Sequence, residues 1–301
     1  MFKNVLIIFA CVLLIQLLLA AFSNKEATKA PEPSITVIDT RVGNAVGFDE
    51  MMDNITQYDL VAVGESHDNQ LHHWIQLKVI EGLQQRKGNV GVTMEMFQHQ
   101  FQDVVDDYLS GKITEAEFLQ KTEYQKRWGY DWQLYRPIME YARQNKLPVG
   151  ALNASSELTA KIVKVGYDGL EQSEKEILGP VNFDSAVHRS YWLPRLSVMH
   201  GKRTATQEQA ERSYQVMAVW DDYMARNAAE FHQSRGLSTT VILAGRGHIE
   251  GGFGIPDRAN AYAGLKKADT TTATIGIVVA DGTDPIPSLP VDYLIIVNPG
   301  N

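Results

Sequence analysis

Two histidines in this chain stand in the same local frame, Gly64-Glu65-Ser66-His67 and Gly245-Arg246-Gly247-His248. Each frame follows a short apolar, β-branched run, Val61-Ala62-Val63 in one case and Val241-Ile242-Leu243-Ala244 in the other. Two further apolar runs, Val90–Met94 and Val149–Leu152, are followed at once by Glu95 and Asn153. Neutral imidazoles beside carboxylates can hold a divalent metal or work as a general acid/base set. Glu65, His67, Glu95 and His248 are therefore the candidate catalytic or metal-binding residues, with Asn69, His72, His73, Asn153 and Arg246 as candidate pocket residues. A Gly-x-x-His tetrapeptide alone is common by chance; two of them, each after an apolar run, carry more weight. The structural alternative is that these acids and histidines cap helices and satisfy one another.

Several other chemistries are excluded by spacing. There is no His-Glu-x-x-His pair, Gly64-x-Ser66-x-Asp68 lacks the second glycine of a nucleophile elbow, and the glycines from Gly245 to Gly254 do not have dinucleotide-binding spacing. His72 and His73 open a helical pattern, so one is expected to face the pocket and the other solvent. His99, His188, His200 and His232 fall in helical sequence, where surface or capping roles are the default. The dense aromatic stretch Trp128-Gly-Tyr130-Asp-Trp132-Gln-Leu-Tyr135 reads first as core packing and second as a platform for a flat apolar ligand.

The elements that must position these groups alternate. Ile35–Thr40, Tyr58–Val63, Asn89–Met94, Leu147–Leu152, Thr239–Ala244, Thr272–Ala280 and Tyr293–Val297 read as strands, and Asn69–Gln85 as a helix ended by Lys87-Gly88. Continuous apolar runs mark strands buried on both faces, as in a parallel sheet. The fold class expected is α/β, a mostly parallel sheet flanked by helices, with a smaller helical subdomain. The long helical stretches Gln98–Asn145 and Ser155–Arg235 supply that subdomain, with Ser155 and Thr206 as N-caps. In open sheets of this kind, ligands sit at the carboxyl ends of the strands, where the candidate residues lie.

Composition narrows the function further. Lys+Arg is 28 against Asp+Glu 36, a net charge of −8, and the basic residues form no cluster, so nucleic acid is not an expected partner. A single cysteine, Cys11, excludes disulfide frameworks and cysteine-based metal sites. Residues 1–23 have the layout of a signal peptide or N-terminal anchor: Lys3, an apolar run from Val5 to Phe22, and Ala21 and Ser23 before a possible cut. Residues 24–34 form a linker, and residues 35–301 an α/β domain with helical insertions within 98–145 and 155–235. The expected location is a bacterial periplasm or envelope.

The residues Val63-Gly-Glu-Ser-His-Asp-Asn69 with His72-His73, Met94-Glu95-Met96-Phe97, Trp132–Tyr141, Trp220-Asp-Asp-Tyr-Met-Ala225, Leu243-Ala-Gly-Arg-Gly-His-Ile249 and Gly254-Ile-Pro-Asp-Arg258 resemble the ChaN family, in order from Tyr58 to Arg258. That resemblance adds Arg258 to the candidate pocket. It implies a haem-binding protein of bacterial iron uptake, a homodimer with cofacial haems, a tyrosinate on each iron, and an outer-membrane haem or iron receptor as a possible partner. Tyr191, Tyr167 and His188 are the candidate haem-binding residues. The family's lipoproteins carry an acylated cysteine near the start, and Cys11, followed by further apolar residues, is poorly placed for it. The alternative, through the wider superfamily of Tiki proteases and erythromycin esterases, is a metal-dependent hydrolase using the paired Gly-x-x-His motifs.

Overall fold

The computed structural model describes residues 33–198, 205–262, 272–280 and 287–299. Residues 35–297 form one compact unit that holds the fold. The signal or anchor expected over 1–23, with Cys11, and nearly all of the linker, as well as His200, lie outside the described residues.

An eight-stranded sheet runs in the order β2-β1-β8-β7-β3-β6-β4-β5. Its strands are β1 Ser34–Asp39, β2 Asn44–Val46, β3 Leu60–Glu65, β4 Val90–Gln98, β5 Val149–Asn153, β6 Thr239–Gly245, β7 Thr272–Val279 and β8 Tyr293–Asn298. β1 and β2 are antiparallel, whereas β3 pairs in parallel with β6 and β7, β4 with β5 and β6, and β7 with β8. The expected α/β class is thus observed, with one short antiparallel strand, β2, added at the edge. That strand was not legible because three residues, two of them exposed, leave no apolar run.

The apolar runs do what continuous runs must in a sheet covered on both sides. Val61 and Val63 of β3, with Val241 and Leu243 of β6, enter the core beneath helices α1 (Phe48–Ile55), α2 (Gln70–Lys87) and α6 (Trp132–Gln144). Their alternates Leu60, Ala62, Ile242 and Ala244 pack on the opposite face against α10 (Gln207–Ser234) and α12 (Ile255–Tyr262). Helix α2 is bounded by chemistry visible in the sequence. The Asn69 side chain accepts from the backbone N–H groups of Leu71 and His72, and Gly88 ends the helix at φ 71°.

The stretch 98–145 holds α3 (Gln102–Leu109), α4 (Glu115–Lys121), α5 (Tyr124–Arg127) and α6, and the stretch 155–235 holds α7 (Ser156–Val165), α8 (Gln172–Leu178), α9 (Ala186–Val198) and α10. Ser155 and Thr206 cap α7 and α10 as expected. In the second stretch, Ile162, Leu178 and Trp192 pack against the Tyr214–Tyr223 face of α10. No helix among the described residues is long and apolar enough to cross a membrane.

α10 comes close to the sheet where the strands carry glycine. A Cβ on Gly150 would lie 2.8 Å from Phe231 Cδ2 and 2.9 Å from Thr93 Cγ2. Gly150→Ala is therefore expected to cost about 1–3 kcal/mol through overpacking. Thermal unfolding followed by circular dichroism checks this, and a Tm equal to wild type would contradict it.

Candidate active site at the strand ends

The parallel register brings the two Gly-x-x-His frames side by side: Gly64 pairs with Ala244 and Glu65 with Gly245. The third contributor, Glu95, lies inside β4 and not after it, because the strand continues to Gln98 through a shift of register between Met94 and Gln98. Glu95 Oε2 accepts the backbone N–H of Gly245 at 2.7 Å. Glycine at 245 leaves room for the His67 ring, because a Cβ there would stand 2.8 Å from His67 Cε1 and displace it. These contacts bring Glu65, His67, Glu95 and His248 to one rim of the sheet.

Each imidazole is held by a buried carboxylate through Nδ1. His67 Nδ1 is 2.5 Å from Glu65 Oε1, and His248 Nδ1 is 2.5 Å from Asp221 Oδ1. His248 Nε2 also lies 3.5 Å from Glu95 Oε1. Both Nδ1 atoms being taken, Nε2 is the nitrogen each ring can offer to a reactant. Asp221, on α10, is wholly buried, and its second oxygen is 2.7 Å from His188 Nε2. The chain continues through His188 Nδ1 to the Tyr214 hydroxyl at 3.2 Å.

Electrostatics follow from burial and pairing. Burial pushes the Glu65 carboxyl up, with His67 as the restraining partner, and Glu65 Oε2 has no hydrogen-bond partner among the described residues. At His67 burial works against the charged ring, but the Glu65 hydrogen bond and the Glu95 charge prevail and raise its pKa. At His248 burial is again opposed, and Asp221 with Glu95 lifts the ring to about 9. Asp221 and Glu95 thus favour the charged form of His248 near neutral pH, and Glu65 with Glu95 shifts His67 in the same direction.

The opening lies at His67, whose side chain is 26% exposed. Trp128 and Tyr130 flank its ring at 4.7 and 4.9 Å between centroids, while Trp132 and Tyr135 pack in the core. Core packing, the first role expected of the aromatic stretch, is observed for Trp132 and Tyr135. On the other side Trp192 lies 6.0 Å from His248, over Gly247, where a Cβ would meet its ring at 2.7 Å.

The remaining candidates disperse. Asn69 is committed to capping α2. His72 and His73 are both buried, which corrects the expectation that one faces solvent. His72 Nδ1 accepts the Ser66 N–H at 2.9 Å, His73 Nε2 donates to the His67 carbonyl at 3.2 Å, and both rings brace the turn that carries His67. Burial pushes His72 down to about 4, which suits a neutral acceptor. Asn153 ends β5, with a buried, unpartnered Oδ1 among the described residues. Arg246 is half-exposed and paired with Glu250 at 2.8 Å. Arg258 joins Asp222, not the histidine cluster. Tyr167 packs on Phe183 in the helical lobe, and Tyr191 on Phe253.

His188 and His232 are buried, against the surface or capping default, whereas His99 is exposed. With both ring nitrogens engaged inside the protein, His188 is not a haem-facing residue. The residue missed altogether is Asp221; its signal was the Trp220-Asp-Asp motif inside an otherwise apolar helical face. For the divalent-metal alternative, no group of three or more His, Cys, Asp or Glu among the described residues is disposed to hold an ion.

A family profile described as haem-binding uptake, Tiki superfamily, ChaN, matches residues 51–259. The chain belongs to the ChaN family. Its fold is similar to that of ChaN of Campylobacter jejuni, solved with cofacially bound haem, at a TM-score of 0.68 and 18% identity, over 90% of this chain and 98% of that one. More distant likenesses are erythromycin esterase EreC (TM-score 0.46, 13% identity, 88% and 83% covered) and a Bacillus cereus protein (0.45, 14%, 83% and 92%). No curated protein sequence matches the chain.

His248 makes stability pH-dependent in a definite direction. Its folded pKa of about 9 stands above the ordinary 6.5, so its contribution is complete below about pH 6.5 and is lost as pH rises through about 9. Urea unfolding is expected to show a loss on the order of 3 kcal/mol across that window. In His248→Gln this loss should vanish; an unchanged pH slope would contradict the pairing.

Proposed function

We propose that this ChaN-family chain binds haem and serves bacterial iron uptake outside the cytoplasm. The observation that carries this reading is the family match over 51–259, which spans most of the described fold. The location rests on the amino-acid pattern of residues 1–23, and the receptor at the outer membrane on the family resemblance.

Ferric iron favours a hard anionic oxygen ligand, which tyrosinate provides. Tyr167 is disfavoured, because burial and the charges of Asp168 and Asp222 all raise its pKa. Tyr130 is disfavoured in the same way by burial, Asp68, Glu65 and Glu95. Tyr191, on α9, instead has the Arg195 guanidinium 3.7 Å from its ring centroid and aromatic neighbours in Trp192 and Phe253. A guanidinium beside the ring and two aromatic neighbours suit a flat, charged group, and Tyr191 is the residue we assign to hold it. When bound, haem would bring a ferric centre; Tyr191 would supply the anionic oxygen and Arg195 would balance its charge. The loaded protein is read as a homodimer, as in the family resemblance.

Hemin titration of the mature protein should give a saturable absorption change of the tyrosinate type, with the apparent mass doubling in size-exclusion chromatography. Tyr191→Phe should remove that spectral change while Tyr167→Phe retains it. Equal spectra in wild type and Tyr191→Phe would overturn the assignment.

A second reading, hydrolysis at the strand ends, is favoured by the two imidazoles oriented by Glu65 and Asp221. His67, when neutral, would accept a proton from water at Nε2, and charged His248 would donate to the leaving group. His67→Ala should then lower turnover of a susceptible ester by about 100-fold or more, with hemin binding unchanged. Turnover equal to that of wild type would remove this reading.

A further inference from the structure

A cavity of about 540 Å³ lies at the rim of the sheet opposite the histidines. β5 starts at Val149 and β6 at Thr239, and both run parallel to β4, so their starts share that rim. The chain enters β5 through Leu147-Pro148 and approaches β6 from Arg235, and all three residues line the cavity. Helices α3 and α6 end there too, and bring Asp106 and Leu109 from one, Arg143 and the following Lys146 from the other. The charged lining is three cations and one acid, a positive spot on a chain whose net charge is −8. Arg143, Lys146 and Arg235 are all exposed residues.

These charges are unevenly paired. Arg235 Nη2 is 3.5 Å from Asp106 Oδ2, which leaves that pair close to neutral. Arg143 has no ion pair among the described residues; its guanidinium lies 5.6 Å from the Tyr108 ring centroid, with Nη2 beside Gly111. The Lys146 ammonium has no partner among the described residues. Its backbone is unusual as well. Lys146 stands at φ 56° in the turn that ends α6, its N–H on the Arg143 carbonyl and the Leu147 N–H on the Ala142 carbonyl. That left-handed position favours glycine, and a lysine held there is strained. A cation does suit the carbonyl end of a helix, but Arg143 already meets that need without strain. Two unpaired positive charges beside an apolar wall of Leu109, Leu147 and Pro148 fit a dianion that carries an apolar substituent. A phosphate monoester, at about −1.5 to −2 near neutral pH, is such a group. We propose that this cavity binds a phosphate monoester, free or on a lipid headgroup, through Arg143 and Lys146. The volume falls within the range of small-molecule sites, roughly 300–1,000 Å³.

The site is independent of the haem and hydrolase readings, since none of its residues belongs to either. The test is calorimetric titration of the full chain with phenyl phosphate, inorganic phosphate and benzoate, beside sedimentation with phosphatidylcholine vesicles made with and without phosphatidic acid. Phenyl phosphate should bind saturably, and at least about tenfold more tightly than benzoate, which carries a single charge. Inorganic phosphate, which lacks the apolar substituent, should bind more weakly than phenyl phosphate. Arg143→Gln and Lys146→Gly should each weaken binding about tenfold or more. Lys146→Gly places glycine where the turn favours it, so its unfolding temperature should stay near that of wild type. Phosphatidic acid-dependent sedimentation that is lost in the Arg143→Gln/Lys146→Gly double variant assigns the group to a lipid headgroup; phenyl phosphate binding without it assigns a soluble ligand. Benzoate bound as tightly as phenyl phosphate would overturn the proposal. So would the absence of any phenyl phosphate or vesicle binding that depends on Arg143 and Lys146, which would leave these cations serving the helix ends alone.

Discussion

One carboxylate with no access to water organises the functional half of this molecule. A buried charge persists only when it is paired on all sides, and Asp221 meets that demand with two imidazoles, one on each oxygen. The three residues come from different elements: Asp221 from α10, His188 from α9 and His248 from α11 (Arg246–Ile249), the single helical turn after β6. Satisfying a single charge therefore pins a lobe helix and a strand end to the central helix of the fold. Removing either imidazole leaves the carboxylate short of a partner in a medium where that is expensive.

The consequences spread along α9. Its inner face presents His188, Trp192 and Leu196, and Trp192 reaches Gly247 because no Cβ stands in the way. The outer side carries Tyr191 and Arg195, a phenol with a guanidinium against its ring. One helix thus borders two chemistries, the acid–base rim within and the proposed haem ligand without. The same division recurs on α10, where successive residues point about 100° apart around the axis. Asp221 faces the histidines, and its neighbour Asp222 faces Arg258.

Much of this was legible in the chain. β-branched runs without alternation announced a sheet covered on both faces, and Ser155 and Thr206 marked helix starts because their side chains can accept from unpaired N–H groups. The paired glycine–histidine frames announced a site at the strand ends, since the chain must turn there. The pairing partners were harder to read. Asp221 sits mid-helix, where an acid ordinarily faces water, and nothing local says that His188 approaches it from thirty-three positions away. His72 and His73 were misread because adjacent helical residues diverge, and it took the packing of the 65–69 turn over the helix start to bury both.

The chain alone determined the kinds of groups available and the elements that carry them, because period, capping and turn chemistry act over a few residues. Tertiary structure decided which groups meet. Register between β3 and β6 set Glu65 beside Gly245, helix packing brought Asp221 to His248, and rotation about α12 sent Arg258 away from the histidines. Those outcomes depend on close packing and on the cost of leaving charge unpaired in the interior, and both are properties of the folded whole.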